Sequence, residues 1–315
     1  MKKTLSILLV AVMMTAMLVG CGSKPAEEAT TGETTAEVVT EEATIEEAAE
    51  ETTEATEEVA EETTEEVAED ATEVAGSGLV TEGKFVVGFD ASYPPYGYMD
   101  DNGEYTGFDI ELAQAMADLN GWELVKTPIE WASKDMELDS GSIDCVWNGF
   151  TINNREDQYT WSVPYVDNSQ VVLVSEASGI ETLADLADKT VGVQAASAAL
   201  ELLQNPKGQK DLGDTFKTLQ EFPDYNNAFV ELQAGSLDAV AMDIGVALYQ
   251  IKSRGEGFAL LEEELASEQY GVGFKLGNEL LRDRINEGLQ ELVDNGTFAE
   301  LAEKYELTDM VCLGN

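Results

Sequence analysis

An arginine, a serine at a helix start and an aspartate at a strand end are the residues of this sequence best suited to binding a small charged molecule. Arg155 follows the segment NGFTINN, directly after a predicted buried strand at 143–147. An arginine in that position can donate two parallel N–H···O bonds to one carboxylate. A surface arginine paired with its neighbours Glu156 or Asp157 is the alternative, and the sequence leaves both open.

The other two residues stand where strands give way to helices. The segment VGVQAASAAL predicts a strand, then small residues, then a helix that begins near Ser197. The free N–H groups of a helix start attract an anion, and a serine that merely caps the helix is compatible with that. Asp243 ends the strand-like DAVAM, so its carboxylate is either a helix cap or the partner of a cation. An α-amino acid, which carries a carboxylate and an ammonium close together, needs such paired donors and such an anion.

Aromatic residues supply candidate walls for a site. Residues 85–113 predict a strand, an aromatic and proline-rich loop, a turn at 101–103 and a helix capped by Asp109. A rigid apolar wall with phenol tips suits a small ligand with few polar groups. The candidate wall residues, each of which could instead belong to a core, are Tyr93, Tyr96, Trp131 and Trp147. Asp90 could reach a distal cation of the ligand or only brace the loop.

Strand and helix patterns alternate along the elements that would position these residues. Predicted strands lie at 85–89, 123–126, 143–147, 171–175, 191–193, 216–221, 238–242 and 270–274. Predicted helices lie at 109–119, 133–140, 182–186, 244–252, 279–293 and 298–305, with two more that open at Ser197 and Asp224. Repeated strand–helix–strand units predict parallel sheets covered by helices. The alternation pauses near 164–169 and 267–271, where the chain would cross between two lobes.

The segment FVVGFDASYPPYGYMDDNGEYTGFDIELA resembles the opening of the family 3 extracellular solute-binding proteins, and the resemblance continues to the C-terminus. It implies an α/β fold of the periplasmic-binding-protein-like type II, in which two lobes with parallel-rich sheets are joined by two crossing strands. Lobe 1 would comprise residues 79–167 and 271–315, and lobe 2 residues 168–270. It also implies a receptor that delivers a free amino acid to the permease subunits of an ABC importer by hinge closure.

The resemblance also assigns roles to the candidate site residues. Thr151 and Arg155 would hold the ligand carboxylate, although their spacing is one residue shorter than the usual pattern. Ser197 and the backbone N–H of Ala198 would meet the same carboxylate; many relatives carry a second hydroxyl where this chain has Ala198. Asp243 would bind the ammonium, together with the Thr151 hydroxyl and a backbone carbonyl near Gly149.

The first residues resemble an export signal rather than a spanning helix. Lys2 and Lys3 precede a short apolar run, and Leu18-Val19-Gly20-Cys21 resembles a lipobox. Residues 1–20 are therefore expected to be a signal peptide, and Cys21 to carry a lipid that anchors the protein to the membrane on its extracytoplasmic side. An ordinary secretory signal and an uncleaved anchor are the alternatives.

Residues 21–78 form a stretch of different composition. Among residues 24–78 there are 20 acidic residues and one lysine, with Thr, Ala and Val making up most of the rest. Such a tract repels itself and has too little apolar surface for a core, so it predicts a disordered stalk.

Composition argues against several other functions. The formal net charge is −46 and no basic stripe is present, so nucleic acid is not an expected partner. The chain has no histidine and no phosphate loop, CxxC pair or GxSxG elbow, and neither a cofactor nor a metal is expected. Cys145 and Cys312 could form a disulfide in an exported protein or remain two buried thiols.

Three rival functions remain. A sensor would carry a spanning helix or signalling domain after residue 315, and the chain shows none, which argues against it. An enzyme is conceivable because cyclohexadienyl dehydratases share the implied fold, but no residue here requires catalysis. An adhesin could use the acidic stalk as a spacer, and adhesion would not exclude transport.

Overall fold

A computed structural model describes residues 79–255 and 257–314. The predicted signal peptide, the lipid-bearing Cys21 and the acidic stalk lie outside these residues. In the part of the chain that is described, no helix is long and apolar enough to cross a membrane.

The described residues form fourteen strands and eight α-helices, with short 3-10 helices between some of them. The strands are β1 (Lys84–Phe89), β2 (Ser92–Tyr93), β3 (Gly97–Met99), β4 (Tyr105–Thr106), β5 (Glu123–Pro128), β6 (Cys145–Val146), β7 (Thr160–Trp161), β8 (Val166–Ser175), β9 (Thr190–Gln194), β10 (Thr218–Phe222), β11 (Ala239–Asp243), β12 (Phe258–Leu260), β13 (Ala266–Tyr270) and β14 (Gly273–Phe274). The helices are α1 (Phe108–Asn120), α2 (Lys134–Ser140), α3 (Ala198–Gln204), α4 (Lys210–Gly213), α5 (Tyr225–Ala234), α6 (Ile244–Arg254), α7 (Glu279–Asp294) and α8 (Thr297–Lys304).

Two mixed sheets form the frame of the molecule. The first has the order β5-β1-β6-β14-β7, and β1 runs parallel to both β5 and β6. The second has the order β10-β9-β11-β8-β12, and β13 also pairs with β8. Strands β9, β10 and β11 are parallel, whereas β8 is antiparallel to its neighbours. A small antiparallel sheet, β2-β3-β4, carries the turn predicted at 101–103.

Side chains on both faces of the second sheet are buried against helices. In β11, Ala239 and Ala241 join one apolar core with helix α3, while Val240 and Met242 join another with helices α5 and α6. Successive side chains of a strand point to opposite faces, which explains this division. The predicted α/β fold with two lobes is confirmed, and its sheets are mixed, with four parallel and five antiparallel strand pairs between them.

The chain passes between the two sheets at two places. Strand β8 starts at Val166, close after β7 of the first sheet. The predicted strand at 270–274 is in fact two strands, because β13 pairs with β8 in the second sheet and β14 pairs with β6 and β7 in the first. The two crossing segments lie side by side, with Tyr270 opposite Val166.

Several local predictions were wrong. Gly107, not Asp109, is the N-cap of α1; Asp109 lies in the first turn, where it is buried. A Cβ at Gly107 would collide with the carbonyl oxygen of Tyr96, and the φ of 128° at Gly107 also favours glycine. The predicted strand at 143–147 pairs only over Cys145–Val146. The short strands β7 and β12 and the short helix α4 were not predicted.

The two cysteines of the described chain are both free. Cys145 is buried in β6, and Cys312 is partly buried near the C-terminus. Of the two alternatives left open by the sequence, the structure shows two thiols.

Candidate functional site

Eight of the nine predicted ligand-binding residues line one small cavity at the ends of strands from both sheets. The empty space among its wall residues, including solvent at its open side, is about 260 Å³. The predicted residues on its wall are Tyr93, Trp131, Gly149, Thr151, Arg155, Ser197, Ala198 and Asp243. Sequence reasoning did not include two further wall residues, Asn148 and Gln194. The first sheet and its loops supply one side of this wall, and the second sheet supplies Gln194, Ser197, Ala198 and Asp243.

Tyr96 is the predicted residue that does not line the cavity. It is completely buried in the core, its ring centroid 5.9 Å from that of Tyr93 and 5.2 Å from that of Tyr270. The loop thus directs Tyr93 into the cavity and Tyr96 into the packing that supports it. Trp147, also considered as a wall residue, is likewise completely buried in the core.

Arg155 reaches from the first sheet toward the start of helix α3. It is 5% exposed, its Nε donates to Glu201 Oε2 at 3.2 Å, and its Nη2 donates to the carbonyl oxygen of Ala196 at 3.4 Å. Its guanidinium also lies over the Phe150 ring. Its ion pair is therefore with Glu201, not with the neighbouring Glu156. A fixed guanidinium on the cavity wall favours a carboxylate there.

The start of helix α3 faces the same cavity. Ser197 is its N-cap, and the Ser197 hydroxyl accepts the N–H of Leu200 at 3.1 Å. The next residue, Ala198, opens the helix, where N–H groups lack partners within the helix. The predicted cap is thus present, and it presents first-turn N–H groups beside Arg155.

Asp243 is the backbone N-cap of helix α6, but its side chain makes no capping bond. Instead, its Oδ1 accepts hydrogen bonds from Asn168 Nδ2 at 2.9 Å, Gln170 Nε2 at 2.8 Å and Tyr270 OH at 2.7 Å. The carboxyl is 3% exposed and lines the cavity. A buried anion with only neutral donors is suited to receive a cation.

A second carboxyl, which sequence reasoning missed, lies beside Asp243. Glu268 is 7% exposed, and its Oε1 accepts from Thr151 Oγ1 at 2.9 Å and from the amides of Asn168 and Gln170, both at 2.8 Å. Each of these two amides therefore donates to both carboxyls. No local signal marks Glu268, because it stands in the polar segment ASEQY and is buried only by the pairing of the crossing strands.

Burial shifts the pKa values of both acids upward. Desolvation, followed by repulsion from Asp243, raises the pKa of Glu268 to about 8. Desolvation also raises the pKa of Asp243, although hydrogen bonds from Tyr270 and Gln170 oppose it. Two carboxyls this close and this buried do not both ionise readily.

Gly149 brings the chain past Tyr93 at close range. Its φ is 53°, and a Cβ there would lie 2.8 Å from Tyr93 Cε1. Its N–H donates to the buried Asp109 Oδ2 at 2.6 Å. Asp109 therefore fixes a cavity-lining turn, a role that its position in the sequence did not reveal.

Asp90 braces the loop, which is one of the two roles predicted for it. Its carboxylate accepts the N–H of Ser92 at 2.7 Å and the Nε2 of Gln194 at 2.7 Å, and it does not line the cavity. Burial raises the pKa of Asp90 to about 6. Asn148 accepts the Asp90 N–H through Oδ1, while its buried Nδ2 has no hydrogen-bond partner among the described residues. That Nδ2 is a free donor on a residue of the cavity wall.

Known proteins of similar sequence bind amino acids. The chain is 32% identical over 226 residues to the L-cystine-binding protein TcyJ of Escherichia coli (strain K12), covering 71% of this chain and 82% of that protein. It is 30% identical over 227 residues to the arginine-binding extracellular protein ArtP of Bacillus subtilis (strain 168), covering 70% of this chain and 86% of that protein.

Solved structures agree with this relationship. The substrate-binding protein of an ABC uptake transporter from Streptococcus pneumoniae, solved with bound histidine, superimposes with a TM-score of 0.68. It is 29% identical and covers 71% of this chain and 92% of its own. The model of one family matches residues 85–308, nearly the whole described region. The chain belongs to the bacterial extracellular solute-binding proteins, family 3.

Proposed function

We propose that this protein captures a free amino acid outside the cytoplasm and delivers it to an ABC importer. The observation that supports this most directly is the convergence of Arg155, the start of helix α3 and Asp243 on one cavity. These are the three groups needed to hold a zwitterion, and the similar proteins include a cystine-binding protein, an arginine-binding protein and a substrate-binding protein solved with bound histidine.

In the proposed complex, the two charges of the ligand lie on different groups. Arg155 and the first-turn N–H groups beside Ser197 bind the carboxylate, because both offer donors of positive character. Asp243 binds the ammonium. Tyr93 and Trp131 border the ligand side chain.

Closure follows from the division of the site between the two sheets. Arg155 follows β6 of the first sheet. Ser197 follows β9 of the second sheet, and Asp243 is the last residue of β11 in that sheet. We propose lobes of residues 79–167 with 271–315, and of residues 168–270, that open and close about the two crossing segments. Groups of both lobes contact the ligand only in the closed form, so the bound ligand shifts the population toward that form. The permease subunits of the importer recognise the closed form.

The remaining parts of the proposal concern anchoring and chemistry. We propose that Cys21 carries a lipid, after removal of residues 1–20, and holds the protein at the extracytoplasmic face of the membrane. The site is proposed to bind its ligand without transforming it, as in the solute-binding family to which the chain belongs.

A melting screen tests the binding proposal. Each standard L-amino acid, L-cystine and opines are added to the purified protein, and the unfolding temperature is recorded. A ligand at one hundred times its Kd adds about 2.7 kcal/mol to the free energy of unfolding, so at least one amino acid is expected to raise the melting temperature by several degrees. The Asp243→Asn variant is expected to lose that increase. A panel that leaves the wild-type melting temperature unchanged would refute the proposal.

A further inference from the structure

Within residues 79–255 and 257–314, the carboxyls of Asp243 and Glu268 are buried together without a positive partner. In the part of the chain that the structure describes, the side chains that donate hydrogen bonds to Asp243 Oδ1 and Glu268 Oε1 are all neutral: Thr151, Asn168, Gln170 and Tyr270. The amides of Asn168 and Gln170 each bridge the two carboxyls, at 2.8–2.9 Å to either one. The network therefore holds two acids together and leaves their charge without a counter-ion.

Such a pair has two ways to avoid an uncompensated double negative charge. It can retain a proton on one carboxyl, or it can gain a cation. The ligand-binding cavity supplies the place for a cation, because Asp243 lines it. The raised pKa of Glu268, about 8, agrees with a retained proton in the protein without ligand.

We propose that Asp243 and Glu268 share one proton in the ligand-free protein, and that the ammonium group of a bound amino acid displaces it. This inference rests on the proposed function, since it requires that the ligand bring an ammonium to Asp243. In the step, one carboxyl O–H bond breaks and its proton passes to water. The ligand keeps all its ammonium protons and pairs with the Asp243 carboxylate.

The proton can reach solvent from Glu268 without passing the ligand. Glu268 lines one outer hollow with Asn153 and Glu156, and a second with Asp167 and Leu248. Neither of these hollows includes Asp243. Asp243 therefore faces the ligand while its partner faces the outside of the crossing segments, where water can accept the proton after the cavity closes.

The groups around the pair determine which other residues titrate with it. The titratable and charged groups that face it are Tyr93, Tyr96, Tyr225 and Tyr270 around Asp243, Arg155 on the cavity wall, and Glu156, Glu201, Asp167 and Asp309 beside Glu268. Burial raises the pKa of each of the four tyrosines well above its ordinary value, so they stay neutral near pH 7.

Three groups elsewhere around the cavity also titrate near neutrality. Burial raises the pKa of Asp90 to about 6 and that of Asp109 to about 7, and lowers that of Lys134 to about 8. A ligand carboxylate near Lys134 would favour proton uptake, which has the opposite sign to the release proposed here. A variant at Glu268 therefore separates the pair from these groups.

Isothermal titration calorimetry in two buffers of different ionisation enthalpy counts the protons. The probe is an amino acid that binds in the melting screen and whose side chain does not titrate between about pH 6 and 8, for example L-arginine. Near pH 7, the wild-type protein is expected to release a substantial fraction of one proton per ligand. Because binding lowers a raised pKa, affinity is expected to increase with pH up to about 8, approaching tenfold per unit.

Two substitutions complete the test. Glu268→Gln keeps the shape and removes the shared proton, so release is expected to vanish and the affinity to become nearly independent of pH. Glu262→Gln removes the same charge from an exposed position and is expected to behave like the wild type. If Glu268→Gln does not fold, the wild-type proton count near pH 8 decides, because Asp90 and Asp109, with pKa values of about 6 and 7, have lost their protons there while the acid pair still holds a large fraction of its own.

The outcomes separate the two proposals. Ligand binding without proton release in the wild type, or with undiminished release in a folded Glu268→Gln variant, overturns the shared proton and leaves the proposed function standing. Failure of every amino acid to bind overturns both.

Discussion

Replacing Arg155 by methionine should abolish most ligand binding while the fold survives. Arg155 is 5% exposed and lies on the cavity wall, so a carboxylate bound beside the methionine would be largely desolvated without its charge partner. Truncating one partner of a buried, hydrogen-bonded charge pair costs about 2–5 kcal/mol. That range corresponds to a rise in Kd of roughly 30-fold to several thousandfold.

The expected loss of stability is smaller. Arg155 gives up one ion pair with the half-exposed Glu201, one long hydrogen bond to Ala196 and its contact with the Phe150 ring. A partly exposed pair and a cation–π contact each contribute up to about 1 kcal/mol, so the melting temperature should fall by only a few degrees.

Calorimetry measures the change in Kd, and circular dichroism checks the fold. Arg155→Lys keeps the charge but loses the planar fork, so its Kd should lie between those of the methionine variant and the wild type. Arg282→Met, at a more exposed arginine that pairs with Asp283, is the matched control and should bind normally. A folded Arg155→Met protein that binds within threefold of the wild type would show that this arginine does not hold the ligand.

Two further predictions concern the support of the cavity. Gly149→Ala places a Cβ 2.8 Å from Tyr93 Cε1 at a φ of 53°, and should lower the free energy of unfolding by about 1–3 kcal/mol in urea denaturation; an unchanged midpoint would mean that the turn relaxes freely. Burial raises the pKa of Asp109 to about 7, above its unfolded value near 4, so its protonated form is favoured in the folded protein. Its contribution to stability is therefore present at low pH and is lost as pH rises from about 4 to 7. In the Asp109→Asn variant, the free energy of unfolding should therefore no longer fall by this contribution between about pH 4 and 7. A pH profile of stability identical to that of the wild type would contradict the raised pKa of Asp109.

Local sequence patterns predicted the elements that carry the site, because a short segment suffices to mark a strand end or a helix start. The small residues after β9 identified the start of α3, and the Ser197 cap is present as the pattern indicates. The strand predicted at 238–242 and the helix predicted after it placed Asp243 at their junction, and Asp243 lines the cavity in the structure. Such predictions depend on neighbours within a few residues.

The parts that escaped prediction depend on contacts between distant segments. Asp109 was expected to cap its own helix, yet its carboxylate accepts the N–H of Gly149, forty residues away. Glu268 is polar and stands among polar residues, and only the pairing of β13 with β8 buries it beside Asp243. The break between β13 and β14 likewise arises because each strand joins a different sheet.

The two halves of the site differ in how their charges are balanced without ligand. Arg155 already has a partner in Glu201, so a ligand carboxylate must share the guanidinium with it. Among the described residues, Asp243 and Glu268 accept hydrogen bonds only from neutral side chains, and their proposed balance is one shared proton. A simple carboxylic acid could therefore use the Arg155 half but would leave the acid pair as it was. Only a ligand that also carries an ammonium gains the second interaction, and this places discrimination between amino acids and other carboxylates at the acid pair.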